Sequence, residues 1–553
     1  MSAALDVARP ALDPITIEVI GSALTSITDE MGEALVRASY STNIKERRDC
    51  STALFDTAGN TLCQAEHIPM HLGSFLEMLP HIMKRHPVEQ MQPGDVFVGN
   101  DAYEGGGTHL PDIVLAEPIF AEGRIVAWAI NTAHHSDFAD RGHAHIFQEG
   151  IRIPPIRLYK AGVLQKDVQD MILLNCQVPR ERLSDLRAQM AANRTGVLRM
   201  QALCARYGAD TVLAAGAALQ DYAERKMRAA IAAIPDGTYR FADVFDNPEM
   251  PDGVPFTVEI AVEGDSMRLH FTAPPQVRAG INMTRTALLT SVYYAVKAAL
   301  DPTILPNSGL ARPLTVTATE NSVIHCGPPA AINGRAQTCQ RVADLIHGAL
   351  APAIPGKITA AHNGALTVAS FIGTQPGTGE PWVYLETIGG GFGARPTKDG
   401  LDGVHVHVTN TSNLPAEAME GEYPLTLVAY ELIDNSGGPG KYRGGMGLKR
   451  VYRAEAECRV RVDGSRMKFA PWGLEGGMEG GTCRFVVSPT AEQTAPGAYT
   501  LRKGDIVEIY TPGAGGHGDP RQRDPALVAK DAREGRYDAA TLRDVFGFEG
   551  DTP

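Results

Sequence analysis

The stretch "GGGTHLPDIVLAEPIF", Gly105 to Phe120, decides how the first part of this chain folds. After His109 and Asp112 an apolar run leads into the turn "AEGR", and a second apolar run, "IVAWAINTA", follows directly. Two apolar runs around a glycine turn predict a β-hairpin. "NTAHHSD" then adds His134 and His135, so polar side chains are expected to gather at the open end of this hairpin.

The register of the hairpin follows from its turn. If Glu122-Gly123 are the turn residues, Ala121 pairs with Arg124, and counting back from there places Asp112 opposite Ala133. Directly opposed residues have Cβ atoms about 5 Å apart. Residues from both strands should therefore meet in one small region at the open end.

The same counting places His134 opposite Pro111, with His109 just beyond the paired residues. Because Pro111 breaks the pleat, the face that each side chain takes stays open, and His135 is an alternative to His134. Two imidazoles and one carboxylate suit a divalent cation such as Zn or Mn, and three protein ligands with one open position are typical of catalytic sites. The competing interpretation is a polar turn cluster, in which the histidines hydrogen-bond to backbone groups at the strand ends.

Three further side chains are candidate catalytic residues. Asp49 in "ERRDCS" and Asp101 in "GNDAY" are carboxylates that could accept a proton, although a surface salt bridge also explains Asp49. His71 in "EHIPMHLG" follows His67 by four residues, a spacing that binds metal on a helix, but Pro69 makes a helix unfavourable. His405 and His407 alternate in "GVHVHVTN", which predicts a shared strand face.

The rest of the chain predicts a mixed α+β fold. A stripe of apolar residues from Ile17 to Leu35, with Asp13 as cap and Pro14 in the first turn, indicates a long N-terminal helix. Helical patterns return over 183–208 and 211–235, and short alternating runs with two more helices follow from about residue 241. After Gly389 the chain is rich in glycine and β-like, with a last helix at "ALVAKDAREG". We expect an N-terminal α/β region carrying the metal site (1–240), a sheet with packed helices (241–388) and a β-rich region (389–553).

Composition excludes several classes of protein. The chain has 553 residues and a formal net charge of −13, without a Lys/Arg stripe that would follow a nucleic acid backbone. Its apolar runs are too short for a membrane span, and the N-terminus has no signal pattern. Eight scattered cysteines with no C-x-x-C are expected to be reduced. These features together predict a cytoplasmic protein.

Three glycine-rich segments partly match nucleotide-binding motifs, but none of them matches fully. "GGGFGA" (389–394) and "GAGGHG" (513–518) have dinucleotide-like spacing, but Arg395-Pro396 and Asp519-Pro520 follow them, so neither opens a helix directly. "NSGGPGKY" lacks the earlier glycine and the Ser/Thr of a phosphate loop. Tight glycine turns are the better explanation for all three.

Seven long motifs resemble those of one family: "GNDAYEGGGTHLPDIVLAEPIF", "AHHSDFAD", "HIPMHLGSF", "ERRDCSTALFD", "IGGGFGARPTKDG", "ELIDNSGGPGKYRGGMG" and "GAGGHGDPRQRDPALVAKDAREG". They resemble the B subunit of the hydantoinase/oxoprolinase family, over about residues 13 to 548. That family includes N-methylhydantoinase, 5-oxoprolinase, ATP-dependent lactamases, and the acetone and acetophenone carboxylases.

The resemblance implies a division of labour between two subunits, expected as an α2β2 hetero-oligomer. A partner A subunit, which binds ATP and Mg, phosphorylates the substrate carbonyl oxygen, and the B subunit then hydrolyses or carboxylates at a divalent metal. The metal ligands that it implies are His109, Asp112 and His134, with Asp49 as fourth ligand or general base. The sequence departs from the family where Phe138-Ala139 replace tandem glycines and where Ala102 replaces a proline.

The expected reaction is opening of a hydantoin, oxoproline or lactam ring. Phosphorylation makes the carbonyl carbon electrophilic, and a metal lowers the pKa of bound water to about 7. We therefore expect a metal-bound water as nucleophile. The alternatives are a subunit of an ATP-dependent ketone carboxylase, whose B-type chains tend to be longer, and a non-catalytic scaffold for the ATPase subunit.

Overall fold

The computed structural model describes residues 12–65, 67–104, 106–136, 141–247, 250–548 and 550. Helices and several sheets are mixed along the chain, which confirms the predicted α+β class. Within these residues, no helix is both long and apolar enough to cross a membrane. Phe138-Ala139 and residues 1–11 lie outside the described residues.

The N-terminal helix α1 (Pro14–Ala38) begins where the sequence predicts it. The Asp13 carboxylate accepts a hydrogen bond from the Thr16 backbone N–H at 3.0 Å and so caps the helix. The apolar stripe of α1 is buried against two long helices, α6 (Pro179–Tyr207) and α7 (Ala209–Ala232). Both of these helices confirm the predicted helical patterns.

A seven-stranded antiparallel sheet organises the N-terminal part, in the order β2-β1-β5-β4-β3-β6-β7. Helices α1, α5 and α6 lie on one face, and two short helices, α3 and α4, cover Phe97 and Trp128 on the other. The central strands are therefore buried on both faces. The elements are β1 (Cys50–Phe55), β2 (Thr61–Gln64), α3 (Leu72–Leu76), α4 (Met78–Arg85), β3 (Val96–Gly99), β4 (Asp112–Ala121), β5 (Arg124–His134), β6 (Ile156–Lys160), β7 (Val163–Leu164) and α5 (Lys166–Leu174), with the four-residue α2 (Thr42–Lys45) before β1.

The predicted hairpin is formed by β4 and β5, but its register is one residue away from the prediction. Glu122 and Gly123 have positive φ angles of 51° and 76° and make the turn, so Ala121 pairs with Arg124 as expected. A β-bulge between Ile119 and Phe120 then shifts the pairing. As a result Asp112 lies opposite His134, not opposite Ala133.

The middle of the chain forms a four-stranded sheet, β11-β10-β9-β8, packed against two helices. β10 and β11 run parallel, and the other pairs are antiparallel. The side chains of this sheet and of both helices share one apolar core. The elements are β8 (Gly237–Asn247), β9 (Met250–Glu263), β10 (Ser266–Thr272), α8 (Arg285–Leu300), β11 (Leu314–Ala318) and α9 (Arg335–Leu350).

Two four-stranded sheets, β13-β12-β16-β18 and β14-β15-β19-β17, face each other across a second core. The first of them joins strands from both sides of residue 389, so the division into three regions stays a prediction. The elements are β12 (Thr367–Thr374), β13 (Pro381–Ile388), α10 (Ala416–Glu422), β14 (Leu425–Leu432), β15 (Leu448–Ala454), β16 (Cys458–Asp463), β17 (Arg484–Val487), β18 (Gly497–Leu501), β19 (Ile506–Tyr510), α11 (Pro525–Arg533) and α12 (Ala539–Asp544).

The glycine-rich segments lie backbone against backbone beside these sheets. A Cβ atom on Gly391 would sit 2.1 Å from the carbonyl oxygen of Gly445, which no side chain tolerates. Within the described range 250–548, no helix follows residue 394 directly, and a 3₁₀ turn (Pro520–Gln522) follows residue 518. These glycines therefore serve close chain crossings, whereas the sequence predicts tight turns; of the glycines in the two motifs, Gly518 alone has a positive φ, 75°. None of the eight cysteines forms a disulfide bond.

Candidate metal centre

The candidate site lies at one edge of the N-terminal sheet. Asp112 is the first residue of β4 and His134 the last residue of β5, and the two are directly opposed. Asp49 immediately precedes β1, which pairs with β5 from Cys50 onward. Because neighbouring strands are antiparallel, these residues from distant parts of the sequence meet at the same edge.

His109, Asp112 and His134 converge on one point. Each contributes a nitrogen or carboxylate oxygen that lies within 4.8 Å of those of the other two. His109 Nε2 is 3.2 Å from Asp112 Oδ1, and the two imidazole centroids are 5.0 Å apart. The structure thus brings together the three side chains that the sequence nominates, with His109 and Asp112 almost fully buried.

Two of the converging atoms have no hydrogen-bond partner among the described residues. His109 Nδ1 lies 3.2 Å from the carbonyl oxygen of Asn333 and must carry the proton, because a carbonyl only accepts. His109 Nε2 therefore presents a lone pair to Asp112 Oδ1, and both atoms are buried and unsatisfied. Two lone pairs this close repel unless a cation lies between them, which is how metal ligands are arranged.

Asp49 and His71 extend the cluster. His71 Nε2 lies 3.6 Å from Asp49 Oδ1 and 3.7 Å from Asp112 Oδ1. Its Nδ1 lies 3.0 Å from the Ser51 hydroxyl, which donates its own proton to the Cys50 carbonyl. His71 Nδ1 is thus the donor to Ser51, and Nε2 faces the two carboxylates. Asp49 is 7% exposed, so the surface salt bridge is excluded for it.

The Asp112 carboxylate is held from its other side by residues that sequence reasoning missed. Asp112 Oδ2 accepts hydrogen bonds from Arg335 Nη2 at 2.9 Å and from the Thr108 hydroxyl at 3.2 Å. Arg335 is the first residue of α9 and is 4% exposed. No local pattern in "NGRAQT" marks this arginine, because its partner lies 223 residues earlier in the chain.

Burial sets the protonation of the cluster. It lowers the pKa of His109, with a further decrease from the Arg335 charge, and it lowers the pKa of His134 to about 3. Burial alone would raise the pKa of Asp112, but the Arg335 charge opposes it, and that pKa lies well below its ordinary value. At neutral pH the cluster therefore offers neutral imidazoles and a carboxylate, the state in which these groups bind metals.

A cavity opens beside the cluster, between the sheet edge and the C-terminal part. One side is lined by Asp49, His71, His109, Asp112 and His134. The facing wall is one face of the sheet β13-β12-β16, which contributes Val368, Ser370, Leu385, Thr387, Arg461 and Asp463. Asn333 and Arg335, which contact His109 and Asp112, also line the cavity.

The structure keeps two of the nominated residues apart from this cluster. Asp101 forms an ion pair with Arg152 at 2.6 Å and is not among the described residues that line the cavity. The His135 ring lies against Gln189 of α6, with Nε2 3.1 Å from the amide oxygen. His134, and not His135, therefore has its ring with His109 and Asp112.

A second group of possible metal ligands consists of Asp344, His362 and His407. Asp344 Oδ1 lies 2.9 Å from His407 Nε2 and 3.2 Å from His362 Nδ1, while Oδ2 accepts a hydrogen bond from Arg466 at 3.0 Å. Both carboxylate oxygens are thus satisfied, unlike Asp112 Oδ1. His407 has a φ of 50° and lies outside any strand, so the predicted strand face with His405 is wrong.

Comparison with known proteins identifies the family. The model of the family "Hydantoinase B/oxoprolinase" matches residues 13–520. The B chain of a proposed D-/L-hydantoinase from Pseudomonas sp. (strain NS671) is 33% identical, over 95% of this chain and 93% of its own length.

Solved structures share the fold. The ATP-dependent caprolactamase from Pseudomonas jessenii matches with a TM-score of 0.90 and 27% identity, over 98% of this chain and 97% of its own. An acetone carboxylase matches with a TM-score of 0.89 and 19% identity, over 97% of this chain and 79% of its own. With a family match over most of its length and a close relative that spans nearly the whole of it, the chain belongs to the hydantoinase B/oxoprolinase family.

Proposed function

We propose that this chain is the hydrolytic subunit of an ATP-dependent amidohydrolase, which opens a cyclic amide that a partner subunit has activated. The observation that carries the proposal is the buried pair His109 Nε2 and Asp112 Oδ1. These two atoms face each other without a hydrogen and line a cavity. A divalent cation would satisfy both.

The donor set fits such a cation. Two neutral imidazoles and a carboxylate, with Asp49 as a possible fourth ligand, suit Zn or Mn equally. Arg335 and Thr108 hold Asp112 from behind, and the Asn333 carbonyl fixes the His109 ring, so outer contacts already orient two ligands. When bound, the cation would supply a water of lowered pKa and polarise the substrate oxygen.

Asp49 and His71 are the groups that we assign to proton handling. Asp49 Oδ2 lies 3.3 Å from the Asn43 amide nitrogen, and its Oδ1 faces His71 Nε2 in the cavity. This places a carboxylate and an imidazole side by side, so a proton removed from water can be shared between them. Asp101 has no part in this assignment, because Arg152 occupies it.

The partner would supply ATP chemistry. The glycine motifs of this chain are backbone crossings, so we assign ATP and Mg to a separate A subunit in an α2β2 assembly. That subunit would phosphorylate the carbonyl oxygen of the amide. This chain would then receive the activated ring beside His109 and Asp112.

The main alternative is a subunit of a ketone carboxylase, since an acetone carboxylase has the same fold. The relatives with higher identity, a proposed hydantoinase and a caprolactamase, favour ring opening. A scaffold without catalytic residues is the second alternative. The unsatisfied ligand pair argues against it, because a purely structural cluster would have satisfied its buried polar atoms.

Reconstitution with the partner subunit distinguishes these functions. We expect ADP, phosphate and a ring-opened product from ATP with hydantoin, 5-oxoproline or caprolactam, in equal amounts with and without bicarbonate. If product forms only from a ketone with bicarbonate, the chain is a subunit of a carboxylase and not of an amidohydrolase. Equal ring opening by the partner alone would leave this chain as a scaffold.

A further inference from the structure

We propose that Arg461 binds the phosphoryl group of the activated substrate; this inference rests on the proposed function and gives the cavity an oxyanion subsite. β16 alternates strictly: Val460 and Val462 are buried in the C-terminal core, whereas Arg461 and Asp463 lie on the opposite face. That face is the cavity wall opposite the metal cluster.

Arg461 is a cation without a partner in the described part of the chain. Its half-buried guanidinium makes no hydrogen bond or ion pair with any described residue, while the cavity's other arginine, Arg335, is committed to Asp112 and Thr108. Asp463 is two residues further on the same face, but its carboxylate accepts hydrogen bonds from Gln337 and from the Gly464 N–H. A cation kept partly out of water without a counter-ion is suited to an anionic ligand.

The position of Arg461 also fits a route from the surface. It also lines a second cavity, which shares Gly334, Gln337 and Asp463 with the candidate site. Arg278, exposed and unpaired among the residues that the structure describes, lies in this outer cavity. Asp246, which also lines the outer cavity, already accepts hydrogen bonds from the backbone N–H groups of Lys468 and Phe469. An anion that enters would meet Arg278 first and Arg461 at the junction.

Chemistry makes such a residue necessary. The phosphoryl group on the activated carbonyl oxygen carries about two negative charges. The activated substrate must therefore enter a cavity that is already lined by the Asp49 and Asp112 carboxylates. A guanidinium can bind two phosphoryl oxygens at once and fix the orientation of the ester. Arg461 on the wall facing the cluster would hold the phosphoryl group away from the carboxylates and turn the ring carbon toward His109 and Asp112.

Binding of inorganic phosphate to the purified full chain tests this assignment. We expect Arg461→Met to weaken phosphate binding by about tenfold or more, since hydrogen bonds to charged groups contribute about 1.5–3 kcal/mol. Arg461→Lys should fall between Arg461→Met and the wild type. Arg459→Met, on the same face of β16 but outside both cavities, serves as the control and should bind phosphate normally. Urea unfolding midpoints close to that of the wild type in all three variants would show that each has folded.

Phosphate affinity that is equal in Arg461→Met and the wild type would overturn the inference, as would a wild-type chain that binds no phosphate. These outcomes are separate from failure of the proposed function. If the complex opens the ring but phosphate binding does not depend on Arg461, only the phosphoryl subsite is rejected. If phosphate binding depends on Arg461 but the complex opens no cyclic amide, only the amidohydrolase function is rejected.

Discussion

At the scale of single residues, the candidate site depends on which nitrogen of each histidine carries its proton. Asn333 and Ser51 accept from the Nδ1 atoms of His109 and His71, and both Nε2 atoms are therefore directed at carboxylates. The sequence nominates His109, Asp112 and His134 because they flank one hairpin. It cannot nominate Asn333 or Arg335, whose contacts with the hairpin arise only when α9 packs against it.

Replacing Arg335 tests how the buried carboxylate is held. Arg335→Met leaves Asp112 fully buried without its cation, and we expect a loss of about 3–5 kcal/mol in the free energy of unfolding of the metal-free chain. Arg312→Met is the control, since Arg312 pairs with Asp221 and Glu224 at the surface and should contribute no more than about 1 kcal/mol. Urea unfolding curves of both variants measure the difference. Equal losses in the two variants would mean that Arg335 does not hold a buried charge.

At the scale of elements, one β-bulge separates the predicted hairpin from the observed one. Counting from the turn gives the correct pairs only as far as Phe120 with Ile125, and the bulge beyond them moves every later pair by one residue. No residue in "AEPIF" predicts a bulge, because the formation of a bulge depends on packing on both faces of the sheet. The shift of one residue in the register changes the partner of His134 from Pro111 to Asp112. His134 therefore still lies at the end of the hairpin where the sequence places it.

Strand β4 also carries a buried carboxyl group that makes stability depend on pH. Glu117 is 4% exposed, and burial raises its pKa to about 7, opposed in part by the Arg194 charge. Between about pH 4.5 and 7 the folded chain holds a proton at Glu117 that the unfolded chain has lost, so this group's contribution to stability falls as pH rises. Glu117→Gln removes the titration. We expect Glu117→Gln to gain up to about 3 kcal/mol relative to the wild type between pH 5 and pH 8.

Urea unfolding midpoints at the two pH values check this expectation. Glu431→Gln, at an exposed position of β14, is the control and should keep the same difference from the wild type at both values. A constant difference between Glu117→Gln and the wild type would show that Glu117 is ionised in the folded chain at pH 5.

At the scale of the whole molecule, the cavity exists only because distant parts of the chain meet. The sheet edge comes from the first 134 residues, Arg335 from α9, and the facing wall from β12, β13 and β16. Hydrophobic periodicity predicts each of these elements separately, but it contains no information on how one sheet lies over the edge of another. No pattern in the sequence singles out Arg461, and only the packed structure places it in the cavity that the metal cluster lines.

The metal content and ring-opening activity of His109→Ala in the reconstituted two-subunit complex test the central claim most directly. We expect the wild type and the surface control His270→Gln to hold about one Zn or Mn per chain and to turn over normally. His109→Ala should lose both the metal and the ring-opened product while the complex still hydrolyses ATP. Full metal content and full turnover in His109→Ala would contradict the account, and metal lost only on substitution of His407 would move the site to Asp344.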